Sequence, residues 1–225
     1  MLLSTAYFPP LSWFALALRN SRPYSHSELS LCHSERSEES PFIASTLIEA
    51  HENYQKQTYR NRCYILAAAG PQMLQVPVVH QADMAITRVQ VDYSTPWVLR
   101  TERALSTAYE SSAYFEYYAD DLFALLEAQP DTLWELNLSL IRWCLDRLHV
   151  SCRLEPTLAY ESPVADDFRS VIHPKHPDTV LEDLGLNRPY YQVFRDKSGG
   201  FTPGLSLLDL LFNEGPDSLS WLIGP

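Results

Sequence analysis

Thr46-Leu-Ile-Glu-Ala50, then His51-Glu-Asn-Tyr-Gln-Lys-Gln-Thr-Tyr-Arg-Asn-Arg62, then Cys63-Tyr-Ile-Leu-Ala67 is the stretch whose reading decides this chain. Its flanks are short, apolar runs that read as two strands. Between them Thr58 is the only small side chain; every other residue can hydrogen-bond, carry charge or offer an aromatic ring with a polar tip. A solvated turn has no need of so many large polar groups, so this density marks a candidate site; the competing reading is a charged surface turn. His51 or Glu52 could serve as a base. Lys56, Arg60 and Arg62 could hold phosphate or carboxylate, arginine through its bidentate fork. Asn61 and Gln72 could orient a hydroxyl or carbonyl, and Tyr54 or Tyr59 could stack on a sugar face. An extended chain puts Tyr54, Lys56, Thr58, Arg60 and Arg62 on one face, while a helical turn clusters Lys56, Tyr59 and Arg60. Either arrangement sets Lys56 and Arg60 on one side, so the two are expected to bind an anion together.

Upstream, Met1 to Tyr7 reads as an opening strand, stopped by Phe8-Pro9-Pro10 because proline lacks a donor and fixes φ. Leu11 to Arg19 reads as a helix with Pro10 at its first turn. Ligands of open α/β sheets bind at the carboxyl ends of strands, where Tyr7 would sit; capping the core with aromatic bulk is the alternative role for it. Downstream, Ala69-Gly70-Pro71 is a turn, and Met73 to Val79 is a strand whose pairing Pro77 ends. Ile86 to Tyr93 alternates Val89, Val91 and Tyr93 against Arg88, Gln90 and Asp92, the period of a half-buried strand.

From Pro96 the period becomes helical: Trp97 to Ser111, then Phe115, Tyr118, Leu122 and Leu125, then Trp134, Leu138, Ile141, Leu145 and Leu148. Pro130 separates the last two helices, and Asp131 is the expected N-cap of the second. Trp134 and Trp143 are assigned to the core. Ser151 to Tyr160 and Tyr190 to Phe194 read as late strands, with a polar loop at Asp166 to Asp178. Ser206-Leu-Leu-Asp209 matches a capping box opening a short helix that Gly215-Pro216 ends. The fold class is therefore α/β: a mixed sheet from the N-terminal half, packed by C-terminal helices in a single domain over residues 1–225.

Composition narrows the function. The 225 residues carry a net charge of −11, with 46% hydrophobic and 20% charged residues. Such a chain buries a sizeable core and offers no long basic footprint for nucleic acid. Cys32, Cys63, Cys144 and Cys152 are widely spaced, so buried thiols are expected and a structural zinc site is not. No Lys or Arg precedes Arg19 and two prolines break the first apolar run, so neither a signal peptide nor a transmembrane helix is read there. A cytoplasmic location is the expectation. Residues 20–43 are serine- and glutamate-rich and read as a disordered or flexible insertion; His26, Cys32 and His33 lie there without the fixed geometry a metal needs.

Tyr7-Phe8-Pro9-Pro10, Tyr54-Gln55-Lys56, Tyr59-Arg60-Asn61-Arg62, Gly70-Pro71-Gln72, Val76-Pro77-Val78, Trp97 and Leu205-Ser206-Leu-Leu-Asp209-Leu-Leu-Phe212-Asn213 together resemble the WbqC-like family. The order and spacing of these motifs span nearly the whole chain apart from residues 20–43. Thr5-Ala6 stand where the family usually carries a polar pair such as His-Gln, and the serine-rich stretch replaces a tight connection. That stretch also resembles the translation of an interspersed bacterial repeat element. The resemblance implies a bacterial cytoplasmic protein linked to O-antigen or other surface-polysaccharide clusters, with transfer of a glycyl or other acyl group to an amino sugar as the suggested activity. A small-molecule substrate, nucleotide-sugar or activated acyl donor, follows from it; no cofactor is named by it. No G-x-S-x-G elbow or P-loop is present to support a serine acyl-enzyme or P-loop ATP use. The rival from another class is a non-catalytic binding or scaffold protein of that pathway, whose arginines would pair with Glu49, Glu52 or Asp92.

Overall fold

The computed structural model describes residues 1–19, 22–23, 42–162 and 165–224, with the backbone alone for 22–23 and 42–44. The expected insertion at 20–43 lies almost wholly outside the described residues, as do His26, Cys32 and His33. In chain order the elements are β1 (Leu2–Leu3), α1 (Leu11–Ala17), β2 (Arg22–Pro23), β3 (Phe42–Ile48), β4 (Arg62–Ala67) and β5 (Gly70–Gln75). Then come α2 (Trp97–Tyr109), α3 (Phe115–Glu127), α4 (Leu133–Arg147), β6 (Val150–Pro156), α5 (Val180–Asp183), α6 (Leu207–Glu214) and α7 (Ser218–Ile223).

The fold is α/β with a mixed sheet centred on β3. Strand β6 pairs with β3 in parallel along its full length, from Phe42 opposite Val150 to Ile48 opposite Pro156. A strand has two edges, so β1, parallel at Leu47 and Ile48, and β2, antiparallel at Phe42 and Ile43, share the other one. Parallel neighbours need a crossover. Here α1 lies between β1 and β3, and the β4–β5 hairpin with α2, α3 and α4 fills the path from β3 to β6. The hairpin is a separate antiparallel pair, running from Arg62 opposite Gln75 to Ala67 opposite Gly70.

Helix α1 is apolar on nearly every side and is buried throughout, as that pattern requires. It contacts β3, α5 and α7, while α6, buried from Leu207 to Asn213, contacts α3, α7 and β4. Of the stripes read from the sequence, Phe115, Leu122, Ile141, Leu145 and Leu148 are buried in the core, Tyr118, Leu125 and Trp134 pack half-buried against it and Leu138 is half-buried; Trp143 is buried. Among the described residues no helix is long and apolar enough to cross a membrane.

Four local expectations are corrected. The N-cap of α4 is Thr132 rather than Asp131, because Glu135 reaches back to Thr132 N (3.2 Å) and Thr132 Oγ1 accepts from Glu135 N (3.2 Å). Residues 86–93 form a 3-10 turn at Ile86–Arg88 and isolated bridges instead of a strand. Val89 and Val91 are buried as the alternation required, but the backbone of 89–92 bonds by turns to residues 77–79 and 131–133. Residues 190–194 are not a strand: Gln192 instead ties Thr202 through its side-chain amide, so the segment folds on itself. Ser206 caps α6 by accepting from Leu208 N, but Asp209 does not complete the box. Its carboxylate is buried and accepts from Tyr109 Oη (2.8 Å), Tyr190 Oη (2.6 Å) and Gln192 Nε2 (2.9 Å).

Candidate functional site

The polar stretch is shaped by what its backbone can bond. Leaving β3, residues 52–54 pair with 84–86: Tyr54 N donates to Met84 O and Ile86 N to Glu52 O. The chain then turns, with Thr58 Oγ1 donating to Gln55 O and Gln57 at φ +62°. Tyr7 N donates to Tyr59 O, and Asn137 Nδ2 on α4 donates to Arg60 O (2.8 Å). Asn61 bonds Val76 through both backbone and side-chain amide before β4 begins. This turn decides the side-chain directions, and it separates Lys56 from Arg60.

Arg60 points inward and is 4% exposed. Its Nε donates to Glu52 Oε1 at 2.8 Å, and its Nη2 donates to Glu52 Oε2 and to Ser4 Oγ. Glu52 is itself buried, so the pair neutralises two charges that could not be buried singly. A second network lies beside it. Glu49, wholly buried, accepts from His51 N, Thr157 Oγ1, Glu161 N and Arg169 Nη1 (2.7 Å), and Arg169 also binds Asp167 (2.6 Å). Hydrogen bonds from Arg169 hold the Asp167 carboxyl below its usual range. Ser4, Glu49, Glu52 and Thr157 all follow the carboxyl ends of the parallel strands β1, β3 and β6. Arg60, Tyr59 and Arg169 line a cavity of about 20 Å³ there, room for about one water.

The larger opening is on the other side of the stretch. A cleft of about 400 Å³ is lined by Tyr54, Lys56, Gln57, Asn61, Arg62 and Gln75, with Pro77 and Val78 as its apolar wall and His80 beside them. Two of the lining residues each carry a buried polar atom with no hydrogen bond among the described residues: the acceptor Asn61 Oδ1 and the donor Arg62 Nε. Buried orphans of this kind are costly and call for a partner. Tyr54 is half-buried; burial raises its phenol pKa, and the positive charges of Arg62 and then Arg60 oppose the rise. Burial, then the charges of His176, Lys175, Arg60 and Arg62, hold the His173 imidazolium below its usual value. The hollow bounded by Gln81, Asp83, Thr87 and Arg88 is a weaker candidate, because its one cation, Arg88, already pairs with Asp83 at 2.7 Å.

Of the residues singled out by sequence, Tyr54, Lys56, Asn61 and Arg62 meet at the cleft. Arg60 and Glu52 turn away to each other, and His51 places its Nε2 3.1 Å from Thr157 O outside the cleft. Tyr59 lines the small cavity with its ring edge-on to Tyr64, and burial drives its pKa far up. Tyr7 is fully buried against Phe8 and Trp97 and supports the stretch through its backbone. Gln72 is exposed three residues along β5 from Gln75, about 10 Å away at strand rise, and does not reach the cleft. Gln75, His80, Ser4, Thr157 and Arg169 were missed. The alternation along β5 could have offered Gln75; nothing local to Asp167-Phe168-Arg169 announces its pairing with Glu49. Among the described residues no cluster of three or more His, Cys, Asp or Glu could hold a metal ion.

Comparison with known proteins places this geometry. The uncharacterized protein Rv1507c of Mycobacterium tuberculosis is 29% identical over 208 residues, covering 80% of this chain and 88% of that protein. No solved structure matches the chain. The model of the WbqC-like protein family matches residues 44–173, which contain both carboxylate–arginine pairs and the whole cleft, and the chain belongs to the WbqC-like protein family.

Proposed function

We propose that the cleft binds the anionic group of a small substrate, a nucleotide-sugar or activated acyl donor, and that the protein is a transferase. On this reading it moves a glycyl or other amino-acyl group onto a sugar in the synthesis of bacterial surface polysaccharide such as O-antigen, acting in the cytoplasm as a single domain. The observation that carries the reading is two cations, the exposed Lys56 and the half-buried Arg62, gathered on one cleft with Tyr54 and Asn61. A site so equipped gains hydrogen bonds and charge neutralisation only when a ligand arrives. An attacking amine needs a base within reach. Glu52 and His51 are engaged elsewhere, so His80, which lines the cleft, takes that role.

The non-catalytic reading is favoured by one observation: Arg60 is buried and paired with Glu52, as a structural bridge would be. Thermal shift with nucleotide-sugars, nucleotides, acyl carriers and amino acids tests the first reading. A ligand at a hundred times its Kd stabilises the fold by about 2.7 kcal/mol, and that shift should disappear in Lys56→Gln/Arg62→Gln. Binding that never yields a transferred group by mass spectrometry would favour a binding protein; a double variant that binds every ligand like wild type would refute the cleft.

A further inference from the structure

We infer that Gln57 is a specificity-determining residue of the cleft, its side-chain amide reading a neutral hydroxyl or amide carried beside the ligand's anionic group. This rests on the cleft assigned under the proposed function and adds the part of the ligand that charge alone does not recognise.

Gln57 occupies a backbone conformation that its type disfavours. At φ +62° it lies in the left-handed region, where a Cβ crowds the backbone and only glycine sits without cost. Among the described residues the other non-glycine positions in this region are Phe8, Gln129 and His149, and each has a structural reason. Gln129 and His149 directly follow Ala128 and Leu148, the C-caps of α3 and α4, where a left-handed residue commonly ends a helix. Phe8 is fully buried with its ring 4.6 Å from that of Tyr7, so core packing holds it.

Gln57 has neither reason. It follows no helix, it is exposed, and its side-chain amide makes no hydrogen bond among the described residues. Its neighbour closes the turn instead, Thr58 Oγ1 donating to Gln55 O at 2.8 Å. Glycine at position 57 would make the same turn with less strain. A side chain that destabilises the fold without bonding within it points to a role in binding.

The surroundings say what it would bind. Gln57 lines the cleft next to Lys56, with Arg62 and Gln75 also on the wall and no carboxylate among the lining residues. The two cations attract any anion. A primary amide has no charge and offers both a donor and an acceptor, so it pairs with a hydroxyl or an amide and separates ligands of equal charge.

Isothermal titration of the full chain with inorganic phosphate, glucose 1-phosphate, UMP and UDP-glucose, together with urea unfolding, tests this on wild type and Gln57→Gly. At least one organic anion should bind more tightly than inorganic phosphate. Gln57→Gly should raise the urea midpoint by relieving the left-handed strain. It should also weaken that organic anion by about fivefold, the loss of one neutral hydrogen bond, and leave phosphate unchanged. A purely structural Gln57 does not move stability and affinity in opposite directions. A variant that binds every probe like wild type would overturn the inference and leave the cleft standing. So would phosphate binding as tightly as every organic anion, since nothing beyond charge would then be read. An equal loss for phosphate and the organic anion would assign the effect to the turn and not the amide, and an unchanged or lowered urea midpoint would remove the strain; either overturns the inference. Failure of every anion to bind wild type would overturn both this inference and the cleft.

Discussion

Removing either partner of the Glu52–Arg60 pair should cost more stability than almost any other single change in the polar stretch. Both side chains are at most 7% exposed, so neither charge can be recovered by water without opening the structure. The guanidinium makes two hydrogen bonds to the carboxylate and one to Ser4 Oγ. Hydrogen bonds to charged groups contribute about 1.5–3 kcal/mol each, so losing the two carboxylate bonds costs roughly 3–6 kcal/mol. Breaking a buried pair from one side costs about 3–5 kcal/mol by a separate route, the penalty of the charge left behind. The two agree, and about 3–5 kcal/mol is expected for Glu52→Leu and for Arg60→Met. The double variant should recover most of the loss, because replacing both members by apolar groups of similar volume is often neutral. Urea unfolding of all four proteins gives the coupling as a double-mutant cycle. Single variants that lose less than about 1 kcal/mol, or a double variant that loses the sum of the two, would refute the structural assignment and return Arg60 to the list of ligand-binding groups.

Two further outcomes follow from other parts of the fold. Gly215 caps α6 at φ +53°, and a Cβ there would lie 2.5 Å from the Tyr114 ring. Gly215→Ala should therefore destabilise by about 2–4 kcal/mol from backbone strain plus overpacking, and a loss under about 0.5 kcal/mol in denaturant melts would contradict this placement. Burial raises the Asp209 carboxyl above its usual value, against the opposing hydrogen bonds from Tyr190, Tyr109 and Gln192. The folded state then holds a proton that the unfolded chain releases, so this group's contribution is fully present below the ordinary carboxylate value and is lost as pH rises through the raised one. Asp209→Asn should remove that decline, and unfolding midpoints from about pH 4 upward that run parallel in the two proteins would rule it out.

Local pattern was enough for most of the elements. Helices α2, α3 and α4 were legible because the apolar positions from Trp97 to Leu148 recur at the helical period, and that recurrence is the same property that buries them. The end of β5 pairing before Pro77 was legible because proline's missing donor is a local fact, whereas the opening strand read over Met1 to Tyr7 ends at Leu3, well before Pro9-Pro10. Where alternation was present without a partner strand, at residues 86–93, burial was read correctly and hydrogen bonding was not. A ladder depends on what lies alongside, which the alternation itself does not encode.

The candidate site divides in the same way. The sequence alone marked residues 51–62 as a dense polar segment inside an apolar bracket, and placed the chain beside one family through the order of its motifs. Only the tertiary structure decided which of those groups are free. The turn at Gln57 sends Lys56 and Arg60 to different cavities, Glu52 and Ser4 take up Arg60, and Thr157 and Arg169, each more than 100 residues away in the chain, take up His51 and Glu49. Charge and hydrogen-bonding capacity are properties of a residue. Whether that capacity is already spent depends on neighbours brought in by the fold, and that is why Lys56 and Arg62 line an open cleft while Arg60, no different by type, is spent on Glu52.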